Sequence, residues 1–328
     1  MDNFTNTSID IFRMNKTFGS SYHLLLLVLA ILIIIANITV LYLFLKTHAL
    51  QVGITNRLLA NLAVSDLLTG LVTIPMTVAS ATLNESPNIH ILYFISNVLS
   101  DFGTIYTVSS LCLVIYDRYF LVCKPFERKR QRTRSPTGCQ IVLLWVSIFL
   151  IAALPFSWSY DLLLDPREHT KEYQLTAERI YVVSITTFFF FLPSCFVLIA
   201  LILMLFEVRN FFADEACNTP QQRTNRTQLA VVIKFTIAFI TFMFCWVPLM
   251  TIRILDYFFN TISMKLTAES LEAIFAMRCA TSLINPLIYT WNDRDYKKEI
   301  SKCYIYKTFI RFLEKRMKLQ NQDQRCMV

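Results

Sequence analysis

Charged side chains lie inside otherwise apolar stretches of this 328-residue sequence. Asp66 ends the run LAVSD, Asp117 and Arg118 adjoin within CLVIYDRYFLVC, and Arg278 lies within AMRCATSLINP. A charge in an apolar setting is costly unless it is paired, hydrated or bound to an ion. These residues therefore point to ion binding, ligand capture or a charge-based switch, or to buried structural pairs.

Catalytic chemistry is disfavoured by the arrangement of the reactive side chains. An enzyme needs a nucleophile–base pair or a metal constellation, and the four histidines, His23, His48, His90 and His169, are scattered over span ends and loops. We predict that the chain is not an enzyme. The sequence shows no internal inverted repeat of the kind that would indicate a transporter.

The elements that must position these residues are membrane helices. The chain is 55% hydrophobic and only 16% charged, whereas a soluble domain is about a quarter charged. About 20 apolar residues suffice to cross the hydrocarbon core. Seven apolar stretches satisfy this, near 22–46, 56–82, 91–123, 138–159, 179–206, 229–258 and 268–291. We predict an all-α membrane protein, a seven-transmembrane-helix bundle over residues 22–291.

The distribution of Lys and Arg predicts the orientation. Most of the 31 basic residues fall in the connections after spans one, three and five and in the tail, and positive charge stays inside. Residues 1–21 are then an extracellular arm and residues 292–328 a cytoplasmic tail of a plasma-membrane protein. Glycosylation sequons agree with this: Asn3, Asn6, Asn15 and Asn84. The net charge of +8 suggests attraction to an anionic inner leaflet of the lipid bilayer, not to nucleic acid.

The tail opens with an amphipathic pattern. Tyr296, Ile300, Cys303 and Tyr304 recur at helical spacing with lysines between them. This pattern predicts a short amphipathic eighth helix on the membrane surface. Cys303 is then a palmitoylation candidate or a free thiol.

One motif in each span, in order, carries a resemblance to a known family. The set comprises Asn37, Asp66 in LAVSD, the triplet DRY, Trp145, Pro193, FMFCWVP and NPLIY. The chain resembles the rhodopsin-like G-protein-coupled receptors. The resemblance implies an extracellular small-molecule or peptide ligand, a heterotrimeric G-protein partner, arrestin, and activation by an outward swing of helix six. A non-signalling decoy receptor and a membrane transporter are the alternatives.

The resemblance also implies which residues switch the receptor. The coupling and activation residues would be Asp117, Arg118, Tyr119, Phe126, Trp246, Pro248, Asn285, Pro286 and Tyr289. Arg118 would be held by Asp117 at rest and freed to meet the G protein. Two usual partners are absent, because Gln228 replaces an acid and Leu201 replaces a tyrosine. Tyr93 stands where the family has a disulfide cysteine.

A sodium ion is the one cofactor that the resemblance suggests. The site would comprise Asp66, Thr107, Thr281, Ser282 and Asn285, where the family more often has Ser and Asn at the two threonine positions. Threonine keeps an oxygen, so a hard cation could still be coordinated. The alternative is a protonated Asp66 that is hydrogen-bonded to its neighbours.

The ligand site is narrowed by what the family resemblance excludes. Cys279 stands where opsins have the retinal lysine, and Ser100 stands where amine receptors have an aspartate, which here follows as Asp101. Arg278 lies two helical turns, about 10 Å, before Asn285 on the same face. It would either form a structural ion pair with Asp101 or Glu272, or capture an acidic ligand group. In the second case Arg253 would be a further cation and Trp246 would line the pocket.

The tail generates a prediction about arrestin. Ser301 and Thr308 are the only serine and threonine after residue 292 in the sequence, so serine/threonine phosphorylation can add little charge there. Truncation after Lys307 should leave agonist-dependent arrestin recruitment nearly unchanged, as measured by a proximity assay in cells. A large drop in the truncated receptor, at equal surface expression, would contradict the prediction.

Overall fold

The computed structural model describes residues 20–52, 54–82, 89–124, 137–159, 172–213, 220–259, 268–291 and residue 296. Nearly all of these residues are helical and none of them lies in a strand. Five of the long helices are uninterrupted: α1 Ser20–Lys46, α3 Ile89–Cys123, α4 Thr137–Ala152, α6 Pro220–Phe259 and α7 Ala268–Trp291. Two contain a π-helical turn: α2 (Ile54–Leu68, Thr69–Thr73, Ile74–Thr82) and α5 (Glu172–Ser184, Ile185–Phe191, Leu192–Ala213). The predicted all-α, seven-helix bundle is confirmed.

Apolar length explains why these segments are helices that face lipid. Within the described residues, six helices are long and apolar enough to cross a membrane. The seventh, α7, is less apolar because its first half carries Glu269, Glu272 and Arg278. It nevertheless packs between α6 and α1 as a member of the bundle. Large aliphatic side chains such as Leu24, Leu143 and Ile240 are 60% or more exposed, as expected of surfaces solvated by lipid tails.

Helix α3 occupies the centre of the bundle. It contacts α2, α4, α5 and α6. In its most apolar 18-residue stretch 67% of the residues are buried, against 17–39% in the same stretch of the other five membrane-crossing helices. The largest core cluster joins α3 to α5 and α6, through side chains such as Ile115, Met204 and Phe239. A second cluster joins α3 to α4 and α5 around Tyr106. Polar residues on α3 are therefore within reach of several other helices.

Both π-helical turns lie directly before a proline. A proline lacks an N–H and clashes with the carbonyl four residues earlier. In α2 the Ile74 N–H bonds the Thr69 carbonyl just before Pro75, and in α5 the Leu192 N–H bonds the Thr187 carbonyl just before Pro193. This i→i+5 bonding widens the turn and relieves the clash.

The described helices extend beyond the predicted spans. α6 begins at Pro220 rather than near residue 229, and α5 begins at Glu172 rather than near 179. Hydropathy detects only the part of a helix that faces hydrocarbon. The polar turns by which the helix extends into water carry no apolar pattern and are missed. Pro220 suits a first helical position because its missing N–H would have no partner there. The predicted eighth helix lies outside the described residues except for Tyr296, which packs on Val40, Leu43 and Leu50.

Gly70 allows α1 and α2 to approach closely. A Cβ at this position would meet the side chains of Ile33 and Ile34 at 3.1 Å and the Ala30 carbonyl at 3.2 Å. A backbone carbonyl cannot move aside as a side-chain tip can. The small residue in the π-helical turn is therefore required by the packing of α1 on α2.

This close approach gives a stability prediction with a matched control. Gly70→Val should lower the unfolding free energy by about 1–3 kcal/mol, because the added methyl groups overpack the interface. Gly138→Val should leave it unchanged or slightly raised, since a Cβ at Gly138 meets nothing within 4 Å and valine is the better helix former. Thermal unfolding of the purified variants in a neutral detergent measures both. Equal melting temperatures would show that the interface relaxes freely.

Candidate functional site

The two ends of the bundle carry different chemistry. The basic end is defined here by Lys46, Arg118 and Arg209, and the far end by Asp101, Arg253 and Arg278.

A bidentate ion pair crosses from α3 to α6 at the far end. Arg253 Nη1 donates to Asp101 Oδ1 at 2.5 Å, and Nη2 donates to Oδ2 at 3.3 Å. Paired N–H···O bonds to one carboxylate fix both side chains in a single geometry.

Arg278 on α7 is a second cation at the far end, and it is only 6% exposed. Its Nη1 donates a hydrogen bond to the hydroxyl of Ser100 on α3. Its guanidinium carbon lies 4.7 Å from the ring centre of Phe275 and 5.6 Å from that of Trp246. Within the described residues no carboxylate forms an ion pair with Arg278. A neutral hydroxyl and two aromatic faces therefore surround this buried charge.

The structural ion pair expected for Arg278 is not formed, and this corrects the first of the two alternatives. Asp101 pairs with Arg253 instead. Adjacent residues on a helix point about 100° apart, so Ser100 faces α7 while Asp101 faces α6. Glu272 and Arg278 are about 120° apart around α7, which keeps these two side chains on different faces of the helix. Arg253, expected as a further ligand cation, has its charge matched by Asp101.

Trp246 connects α6 to α7 next to the proline of α6. It is 5% exposed, and its Nε1 donates to Thr281 Oγ1 at 3.3 Å. The Thr281 hydroxyl donates in turn to the Arg278 carbonyl at 2.6 Å. The Phe242 ring stacks on Trp246 with ring centres 5.6 Å apart. The indole is thus tied to the segment of α7 that carries Arg278.

One cavity brings together four of the six predicted ligand residues. Ser100, Trp246, Arg278 and Cys279 all line it. Asp101 and Arg253 are not among its lining residues, because their ion pair lies on the neighbouring face of α3. The cavity continues to Thr107 and Ser282, which belong to the predicted sodium site.

A buried polar centre lies below this cavity, between α1, α2 and α7. Asp66 is 2% exposed, and Asn285 Nδ2 donates to Asp66 Oδ2 at 3.2 Å. Asn37 Nδ2 donates to the Ser282 carbonyl at 2.9 Å and to the Ile33 carbonyl at 2.9 Å. These bonds explain how asparagines are accommodated in the bundle interior, where polar groups need partners. They also join α1 and α2 to α7.

The predicted sodium ligands meet only in part. A carboxylate with hydroxyl and amide oxygens is a donor set that hard cations accept, and Ser282 and Asn285 both lie beside Asp66. Thr107 lines the adjoining cavity together with Ser282. Thr281 is engaged elsewhere, with Trp246 and the Arg278 carbonyl. Among the described residues no cluster of three or more His, Cys, Asp or Glu side chains could hold a metal ion.

The basic end places Asp117 and Arg118 against two other helices. Thr55 Oγ1 on α2 donates to Asp117 Oδ2 at 2.7 Å, and the aspartate is 6% exposed. The Arg118 guanidinium carbon lies 5.6 Å from the ring centre of Phe235 on α6. Tyr119 packs against the core between α3, α5 and α6. The DRY triplet therefore lies where α2, α3 and α6 converge.

Sequence reasoning missed two residues of this region. Thr55 is the second residue of α2, and Phe235 lies in a long apolar run, so neither differs in type from its surroundings. Each acquires its role from a residue on α3: Thr55 from Asp117 and Phe235 from Arg118. Several predicted positions lie outside the described residues or have side chains that do: Phe126, Gln228, Tyr289, Cys303, Asn3, Asn6, Asn15 and Asn84.

Comparison with known proteins gives one matching family and several similar receptors. The family described as 7 transmembrane receptor (rhodopsin family) matches residues 36–289. Neuropeptide Y receptor type 6 of Oryctolagus cuniculus is 24% identical over 90% of this chain and 84% of its own length. Sphingosine 1-phosphate receptor 2 of Homo sapiens is 28% identical over 74% of this chain and 65% of its own length. Adenosine receptor A2b of Gallus gallus is 25% identical over 88% of this chain and 89% of its own length.

The Asp101–Arg253 pair gives a stability prediction. Arg253→Gln leaves a carboxylate that is only 7% exposed without its cation, so the unfolding free energy should fall by about 1–3 kcal/mol, less than for a fully buried pair because Arg253 is partly solvated. The double variant Asp101→Asn/Arg253→Gln should recover part of the loss. Thermal unfolding without ligand measures this, with Arg209→Gln, an exposed cation, as the control. Additive losses in the double variant would show that the two side chains are not coupled.

Proposed function

Because the chain belongs to the rhodopsin family of seven-transmembrane receptors, we propose that it binds an extracellular ligand among its helices and activates heterotrimeric G proteins. The proposal includes the orientation, with the basic end in the cytoplasm and the far end outside. The charge distribution supports it, since Lys and Arg concentrate at the basic end. The apolar helices together with the receptor family support a multi-pass protein of the plasma membrane.

The contact between Arg118 and α6 is the observation that carries the proposed coupling. Arg118 lies at the basic end of α3, and its guanidinium packs over Phe235 at 5.6 Å. A cation held against an aromatic face in a partly dry site gains about 1–2 kcal/mol. An outward movement of α6 removes Phe235 from this position. Arg118 would then be exposed to a partner that enters from the cytoplasm.

Pro248 and Trp246 supply the hinge for such a movement. Pro248 lies inside α6, where it removes one backbone hydrogen bond and weakens the helix locally. Trp246 is two residues earlier and is hydrogen-bonded to Thr281 on α7. A ligand that contacts Trp246 can therefore favour one of two positions of α6. Activation is then a population shift driven by the difference in ligand affinity between two states.

The non-signalling alternative rests on Leu201 and Gln228, of which Leu201 has a described side chain. This residue is 1% exposed and packs in the core that joins α3, α5 and α6. A tyrosine, usual here in the family, would offer a hydroxyl to the active arrangement of Arg118. Its absence weakens the active state without removing the Arg118–Phe235 contact. Nucleotide exchange on a panel of G proteins distinguishes a signalling receptor from a decoy.

The relatives leave the ligand open. Their names refer to a neuropeptide, sphingosine 1-phosphate, dopamine and adenosine. These ligands differ in charge and size, so the identity of the ligand has to be argued from the residues of this chain.

The coupling proposal predicts the effect of Arg118→Ala. Constitutive or agonist-driven GDP–GTP exchange should fall at least about tenfold, since the cation that meets the G protein is lost, which corresponds to roughly 1.4 kcal/mol or more of lost stabilisation. The measurement is nucleotide exchange on purified G proteins at matched receptor concentration. Arg179→Ala, which removes an exposed cation from the far-end half of α5, is the control and should retain exchange. Unchanged exchange in Arg118→Ala would refute the coupling role.

A further inference from the structure

We propose that Arg278 is the cation that binds an acidic group, a carboxylate or a phosphate, of the ligand. The inference rests on the proposed receptor function, because it assigns the chemistry of the ligand for which the far-end cavity would be built. The site is the cavity lined by Ser100, Trp246 and Arg278, whose enclosed space of about 10 Å³ is room for about one water, so an acidic group enters as the side chains around it move apart. Arg253, which also lies at the far end, does not line this cavity.

The two arginines differ in how their charges are compensated. Arg253 forms two hydrogen bonds with Asp101, so its charge is already matched by a carboxylate. Arg278 is only 6% exposed and donates to an uncharged serine hydroxyl. No carboxylate among the described residues pairs with Arg278, and a buried charge without a counter-ion is costly in the interior of a membrane protein. An anion that enters the cavity and pairs with Arg278 removes this cost, which provides the driving force for binding.

The surroundings of Arg278 suit an anion rather than a cation or a neutral group. The guanidinium offers several N–H donors in one plane, the arrangement that carboxylates and phosphates accept in pairs. The Phe275 ring at 4.7 Å and the Trp246 ring at 5.6 Å keep that plane in place, and the Arg278 side chain is largely buried. Ser100 is able to rotate its hydroxyl and donate to the same anion. A cationic ligand would meet an uncompensated positive charge here.

The position of Arg278 connects anion binding to α6. The Trp246 ring that contacts the guanidinium lies two residues before Pro248, and the Trp246 indole is hydrogen-bonded to Thr281. An anion on Arg278 draws the guanidinium toward itself and weakens its attraction for the Trp246 ring. Binding of an acid therefore acts directly on the residue next to the hinge. A ligand without the acidic group lacks this effect.

Four matched fragments test the proposal without knowledge of the natural ligand. Benzoate and phenyl phosphate carry the two acidic groups, while benzamide and benzylamine share the aromatic ring and are neutral and cationic. Each is added to the full-length receptor in a neutral detergent, with sodium chloride used to match the ionic strength. The melting temperature and the saturation-transfer NMR signal of each fragment are measured.

The acidic fragments should raise the melting temperature by about 2–4 °C near saturation, since a ligand that binds only the folded state stabilises it. Benzamide and benzylamine should have little effect. Whether benzoate or phenyl phosphate gives the larger shift distinguishes a carboxylate ligand from a phosphate ligand. Equal shifts from acidic and neutral fragments would overturn the proposal.

Variants then locate the binding cation. Arg278→Gln should abolish the anion-dependent shift and NMR signal, whereas Asp101→Asn/Arg253→Gln, which removes a cation with its counter-charge, should retain both. The reverse pattern would assign the anion to Arg253 and overturn the proposal. Should Arg278→Gln fail to fold, Arg278→Lys decides: a weakened response to benzoate supports the proposal, because lysine lacks the planar pair of donors, and an unchanged response contradicts it.

These outcomes are independent of coupling, because no G protein is present. Nucleotide exchange that persists after the anion test fails would leave the receptor function intact and remove only the ligand class. Anion binding without nucleotide exchange would instead support the non-signalling receptor.

Discussion

The need to satisfy charged and polar side chains inside a bundle without bulk water is the constraint on which the rest of this structure depends. A helix bonds its own backbone, so only side chains connect one helix to another through polar contacts. In this protein each such contact joins specific helices: Asn37 joins α1 to α7, Thr55 joins α2 to α3, and Asn61 accepts from Trp145 of α4 at 2.9 Å. These bonds fix which faces of otherwise apolar helices meet.

Apolar packing alone would leave the arrangement less determined. Lipid tails are as apolar as leucine, so burying leucine between helices gains little over leaving it in lipid, and close packing and polar contacts decide the interfaces. The close approach at Gly70 and the π-helical turns before Pro75 and Pro193 are the packing side of this requirement. The central position of α3 follows, since α3 presents polar side chains such as Ser100, Asp101 and Asp117 to different neighbours.

Among the described residues, hydrogen-bonded contacts at two points and a cation–π contact at a third connect helix α6 to its neighbours along its length. The Asp101–Arg253 pair attaches it to α3 at the far end, Trp246 attaches it to α7 in the middle, and Phe235 packs under Arg118 at the basic end. Pro248 lies between the first and the second contact. In the proposed mechanism a ligand in the cavity would act on the second contact, beside the hinge, while the G protein would compete for the third. On this proposal α6 would be a two-state element whose position both ends influence.

The sequence by itself determined the membrane helices, the family and the unusual charged residues of this protein. Runs of about 20 apolar residues dictate membrane helices because the bilayer has a fixed thickness, and the ordered set from Asn37 to NPLIY predicted the family. The sequence also singled out Asp66, Asp117, Arg118, Trp246 and Arg278, because such residues are rare in apolar surroundings. It did not decide the pairing. From the sequence, Asp101 could pair with Arg253 or with Arg278. The rotation of α3 relative to α6 and α7 pairs Asp101 with Arg253 and places Ser100 against Arg278. Thr55 and Phe235 acquired their roles in the same way. Partner choice depends on the relative rotation of helices far apart in the chain, which local composition does not encode, so only the tertiary structure decided it.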